Sequence, residues 1–133
     1  MRYANNIKNK NMSCNTTTGD LRPAQYNVKI WRNDSWAQTF AILSNDVAVD
    51  LSGSTIVIQV RATADSSTAL LTLTTTDNSI TIGGTSHNLI TLNKKVTIAA
   101  GSYVYDMNVT YPSGEVKTYI WGTFFVQEDI TKP

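Results

Sequence analysis

The chain has 133 residues and a mass of 14.6 kDa, room for one domain and one core. Hydrophobic residues make up 41% and charged residues only 16%, with 19 Thr, 12 Asn and 11 Ser filling the deficit. A net charge of +1 and a pI near 7.8 give no global field toward nucleic acid or an anionic membrane, and neither is an expected partner.

No run of about 18 apolar residues marks a membrane span, and no apolar segment near Met1 suggests a secretory signal. Cys14 is a lone cysteine, so an internal disulfide and a cysteine-based zinc site are both excluded. Threonine-rich, Lys/Glu-poor composition favours strands, because β-branched side chains fit a pleated surface and lose rotamer freedom in a helix.

The charge is unevenly placed. Residues 1–22 carry Arg2, Lys8, Lys10 and Arg22 against Asp20, a balance of +3, while the remainder is −2. This first stretch is rich in Asn and Thr and is expected to be disordered alone, since it offers too little apolar area to offset its ordering entropy. Residues 1–25 are therefore expected to form an extended N-terminal arm, ordered against a neighbouring subunit through Tyr3, Ile7, Met12 and Leu21.

Residues 26–133 read as a β body. Tyr26 to Trp31 alternates, Arg32-Asn33-Asp34 turns, and Trp36 to Leu43 is the next strand. Ser44-Asn45-Asp46 turns into Val47 to Asp50, a hairpin. Thr55 to Ala62 is the clearest strand, with Ile56, Ile58 and Val60 inward and Thr55, Gln59 and Arg61 outward. Leu70 to Thr75, Ile80 to Ile82 and Leu89 to Leu92 follow, with Gly83-Gly84 as a tip.

Lys94 to Ala100 fits either a helical turn or a short strand. Tyr103 to Tyr111 and Val116 to Gln127 form a long hairpin, because Pro112-Ser113-Gly114 supplies a preset φ and then a positive one. Gly122 is expected to mark a bulge or bend. Turn signals every 8 to 12 residues without a helical period indicate an antiparallel sandwich.

Catalytic constellations are absent from this pattern. His87 is the single histidine and sits in a loop, and Cys14 lacks an electropositive setting. The aspartates Asp34, Asp46, Asp50, Asp65 and Asp77 fall one per turn, where carboxylates bond the backbone two residues on. No calcium-loop or phosphate-loop spacing occurs, so no enzyme activity, metal or cofactor is expected.

The aromatic residues remain open to three readings. Trp31, Trp36 and Trp121 could stack sugars, while Tyr103, Tyr105, Met107, Val109 and Tyr111 share one strand face suited to a core or a subunit contact. Trp31, Trp36, Tyr111 and Trp121 are the candidate protein-contact residues of the body.

The order of features in "VKIWRNDSWAQTFAIL", "VAVDLSGSTIVIQVRAT" and "ITIGGTSHNLITL" resembles small β-sandwich proteins of tailed bacteriophages. The closing "IAAGSYVYDMNVTYPSGEVKTYIWGTFFVQEDIT", of the form AGxYxYDxxxxxPxGxxxxxxxGxxxV, is the most specific part. The likeness spans about 100 residues and omits the arm.

It implies an all-β, antiparallel Ig-like sandwich of about 7–9 strands and a structural role in the virion, as in side-tail-fibre collar and baseplate proteins. Copies of the chain would form a ring on the tail, baseplate or neck, contacting one another and other virion proteins or fibres, after synthesis in the bacterial cytoplasm. Alternatives are a capsid decoration or head-fibre attachment protein, and a carbohydrate or host-surface binding module. The family offers no catalytic residues.

Overall fold

Asparagine and glycine make the corners of this molecule. A computed structural model describes residues 4–8, 11–16 and 23–131, the first two stretches as backbone alone. Within it, Asn33, Asn45, Asp46, Asn78 and His87 hold positive φ, as do four glycines including Gly84 and Gly114. Asn and Asp tolerate this region because their short side chains bond locally. Asn45 and Asp46 occupy it consecutively, giving a two-residue turn whose twist matches its strands.

Between the corners, the described residues form β1 (Ala4–Lys8), β2 (Asn11–Thr16), β3 (Ala24–Gln25), β4 (Val28–Trp31), β5 (Ser35–Ser44) and β6 (Val47–Ala48). They continue with β7 (Thr55–Arg61), β8 (Leu71–Thr74), β9 (Ile80–Gly83), β10 (Leu89–Lys95), β11 (Gly101–Thr110) and β12 (Val116–Gln127). Two sheets result among these residues. One runs β1-β2-β5-β10-β9 with β6 also on β5; the other runs β3-β12-β11-β7-β8 with β4 also on β12.

The fold is an all-β, Ig-like sandwich. Pairing is mostly antiparallel, but β2 lies parallel to β5, and β3 and β4 lie parallel to β12. Strands outnumber the expected 7–9 because the short β3 and β6 stand separately and an N-terminal hairpin joins the first sheet. The segment from Lys94 resolves as strand through Lys95, after which the buried Val96 leads a bend into β11.

The inner faces follow the alternation of the sequence. Phe40, Ile42, Ile80, Ile90 and Leu92 of the first sheet meet Ile56, Ile58, Leu73, Met107, Val109 and Phe124 of the second, all essentially inaccessible. Trp36 stands against Tyr105 edge-on at 5.5 Å and against Phe124 at 4.9 Å. Its indole N–H donates to Gln38 Oε1 at 3.0 Å, and Gln38 Nε2 donates to Tyr26 Oη at 2.7 Å. This chain of bonds satisfies polar groups that burial would otherwise penalise.

The arm reading needs correction. β1 and β2 form an antiparallel hairpin, and β2 continues the first sheet along Thr39–Ser44 of the chain's own β5. An extended Asn/Thr-rich segment can fill an open strand edge through backbone pairing alone, without large apolar anchors. Ile7 lies on β1 and Met12 on β2, whereas Tyr3 and Leu21 fall outside the described residues. The core itself starts at Ala24, which is fully buried, just before the expected boundary at residue 26.

Candidate functional site

Two regions of the second sheet's outer face carry side chains that the core does not use. Their placement depends on one irregularity. From the Pro112 turn, Thr110 pairs Val116 and Asn108 pairs Thr118, but Met107 then pairs Ile120, leaving Tyr119 as an extra residue. This bulge reverses the alternation of β12, so Tyr119 and Ile120 are both buried and Trp121 faces outward opposite Asp106. Gly122 sits in regular pairing with Tyr105, so the expected bulge lies two to three residues earlier.

Gly122 serves another purpose. A Cβ there would lie 2.2 Å from the Tyr26 carbonyl oxygen, so only glycine admits the segment joining β3 and β4 at this point. Across Tyr26 and Asn27, between β3 and β4, pairing with β12 continues by substitution. Tyr26 N donates to Trp121 O at 2.9 Å, and the Asn27 side-chain Oδ1 accepts from Thr123 N at 3.1 Å.

The first region is a cleft of mixed polar and apolar character, about 340 Å³, lined by Gln59, Arg61, Ala64, Val104, Asp106, Asn108 and Trp121. Asp106 lies directly between Gln59 on β7 and Trp121 on β12. Arg61 donates Nη1 to Ser66 O at 2.7 Å and Nη2 to Gln59 Oε1 at 2.6 Å, which pins both side chains. Partial burial pushes the Asp106 carboxyl above the ordinary aspartate range, and the Arg61 charge opposes that rise.

The second region is an apolar corner. Trp31 is 45% exposed, Phe125 37% and Ile130 84%. Trp31 and Phe125 border one shallow cleft with Lys29, Ile30 and Gln127, and Trp31 and Ile130 border another of about 480 Å³. The backbone beneath is tied down. Arg32 N donates to Gln127 O at 2.6 Å, Asn33 Nδ2 donates to Asp129 Oδ2 at 3.1 Å, and Arg32 reaches Glu128 at 3.4 Å.

The candidate contact residues of the body therefore divide. Trp31 and Trp121 stand outward, on opposite sides of Phe125 along the sheet face. Trp36 does not; at 3% exposure it is a core residue, because β5 turns its even-numbered side chains inward. Tyr111 is half-buried and its hydroxyl is bonded to that of Tyr119, so it closes the hairpin end of the sandwich.

Two of the five turn aspartates, Asp50 and Asp77, bond the backbone two residues on. Asp50 accepts from Ser52 N at 2.9 Å, and Asp77 accepts from Ser79 N at 2.9 Å. His87 is exposed at positive φ beyond the Gly84 tip. Among the described residues no group of three or more His, Cys, Asp or Glu is placed to hold a metal ion.

Sequence reading missed Phe125 and the joint placement of Gln59, Arg61, Asp106 and Asn108. The outward parity of β7 and β11 was the available signal, but which side of β12 met it depended on the bulge.

No family model matches the chain, and no curated protein does. Among solved structures, CopC from Methylosinus trichosporium OB3b is similar at a TM-score of 0.37 and 15% identity, over 59% of this chain and 67% of that one. The first immunoglobulin domain of Dpr1, solved bound to that of DIP-eta, is similar at a TM-score of 0.40 and 18% identity, over 79% of this chain and 90% of that one.

Proposed function

We propose that this chain is a non-catalytic structural subunit of a tailed-bacteriophage particle. Several copies form a collar or ring on the tail, baseplate or neck, where they anchor fibres or join parts of the particle. The observation that carries the reading is the apolar corner of Trp31, Phe125 and Ile130, exposed on a braced backbone and rimmed by Lys29, Arg32, Gln127 and Asp129. Large aromatics ringed by polar groups are the usual anchors of protein interfaces, and a rigid corner loses little entropy on docking. The phage setting rests on the resemblance of the closing hairpin, from Gly101 to Val126, to virion sandwich proteins.

Docking works by burying the two rings against a neighbouring subunit, with the polar rim setting orientation. The open edges at β8 and β9 add a second route, since an incoming strand can satisfy their outward backbone groups. The particle itself provides the test. Gold-labelled antibody against this chain should mark one ring per purified phage particle at the tail, baseplate or neck. Label spread over the head lattice would favour a capsid decoration role, and unlabelled particles would overturn the proposal.

A further inference from the structure

The cleft around Asp106 and Trp121 keeps hydrogen-bonding capacity after the fold's own needs are met. Arg61 occupies the side-chain oxygen of Gln59, which leaves the Gln59 amide N–H groups as donors. Thr118 Oγ1 donates to Asn108 Oδ1 and leaves the Asn108 amide in the same condition. Asp106 accepts no hydrogen bond from the described residues; the neighbouring charge of Arg61 is its one polar influence. Cross-strand pairing puts Gln59 and Trp121 on either side of Asp106, and Asn108 lies two residues further along the same face. A donor, an acceptor and a second donor thus surround an indole that is 39% exposed, with Val104 and Ala64 beside it.

We infer that this cleft is a carbohydrate subsite that takes a single pyranose ring. The C–H face of the sugar stacks on the Trp121 indole and on Val104. Adjacent hydroxyls donate to the Asp106 carboxylate and accept from the Gln59 and Asn108 amides. A sugar hydroxyl is both donor and acceptor, which matches a mixed set; a cationic side chain donates only, would leave the amides unmatched, and would meet the positive Arg61 at the rim. An apolar peptide segment would strand all three polar groups. The volume of about 340 Å³ lies at the small end of ligand sites, which suits one ring. Trp31 and Phe125 take no part, so the subsite is independent of assembly through the apolar corner.

The test is amide and indole NMR of the intact chain titrated with N-acetylarginine methylamide as a cationic control and with four sugars: methyl α-D-glucopyranoside, methyl α-D-mannopyranoside, methyl β-D-galactopyranoside and N-acetylglucosamine. At least one sugar should shift the Trp121 indole and the Gln59 and Asn108 side-chain amides saturably, at ~1–10 mM for so small and open a contact. Trp121→Ala and Asp106→Ala should each weaken that binding at least about tenfold, about 1.4 kcal/mol, in chains whose backbone amide spectra show the parent fold. Trp31→Ala should bind as the parent does, whatever its effect on association. The inference is overturned if none of the four sugars shifts these signals, if the shifts persist in Trp121→Ala, or if only N-acetylarginine methylamide produces them.

Discussion

The Tyr105 hydroxyl donates to the Tyr26 carbonyl oxygen at 2.5 Å, across 79 residues of sequence, and ties the centre of β11 to the break between β3 and β4. The same carbonyl faces the bare Cα of Gly122. Tyr26 N bonds Trp121 O, and the Tyr26 ring stands edge-on to Phe40 at 5.6 Å, so one residue joins both sheets. Tyr105→Phe keeps the ring but leaves that carbonyl without its donor. The expected cost is about 1–3 kcal/mol in urea unfolding, with an unchanged slope. A cost below about 0.3 kcal/mol would mean the bond is replaced by water at no penalty.

Gly122→Ala is expected to be the more damaging change, although it adds a single methyl group. The Cβ would overlap backbone rather than a flexible side chain, so β3 and β4 would have to move off β12. A loss of ~3 kcal/mol or more is predicted, with the amides of Thr123 and Tyr26 losing hydrogen-exchange protection first. A variant as stable as the parent would show that β3 and β4 can shift freely on β12.

Proton binding should separate the aspartates into two groups. The Ser52 hydroxyl and then its backbone N–H hold the Asp50 carboxyl below its ordinary value, and Ser79 does the same for Asp77, with Lys94 adding to it. Their support for folding is complete above the unfolded aspartate value and is lost as pH falls through the lower folded one. Burial gives Asp106 the opposite sign: its folded value is raised, so it detracts from stability as pH rises from the unfolded value through the folded one. Carboxyl NMR titration should find Asp106 last to ionise, and Ser79→Ala should move Asp77 upward. Coincident titrations of all three would contradict this assignment.

Removal of residues 1–22 deletes β1 and β2 but none of the buried residues from Ala24 to Val126. The truncated chain is expected to unfold cooperatively with near-ultraviolet dichroism intact, since Trp36 keeps its aromatic neighbours. Amides within Thr39–Ser44 that face β2 should exchange faster, because that edge becomes open. A truncation that fails to fold would show the hairpin to be part of the folding unit.

Much of the sandwich was legible because local rules and tertiary structure agree. Ile56, Ile58 and Val60 alternate on β7, and Pro112 to Gly114 demands a turn that the Gly114 N to Tyr111 O bond closes at 2.8 Å. Trp36 was harder to place, since an indole next to a turn reads equally as surface or core until β5's partner is known. Trp121 was harder still. Extending the register of the Pro112 turn pairs it with Tyr105 on the inner face, and the extra residue Tyr119 is what turns it outward beside Asp106. The N-terminal strands were missed because their apolar content is low and their pairing partner, β5, is set by long-range backbone contact.

The claim that the apolar corner is an assembly surface is tested most directly by sedimentation equilibrium. The intact chain at ~100 µM should have a mass several times that of one subunit, given an interface with aromatic anchors. Trp31→Ala with Phe125→Ala should sediment as a monomer while melting within a few degrees of the parent. A parent chain that is monomeric at that concentration, or a double variant that still associates, would contradict the account.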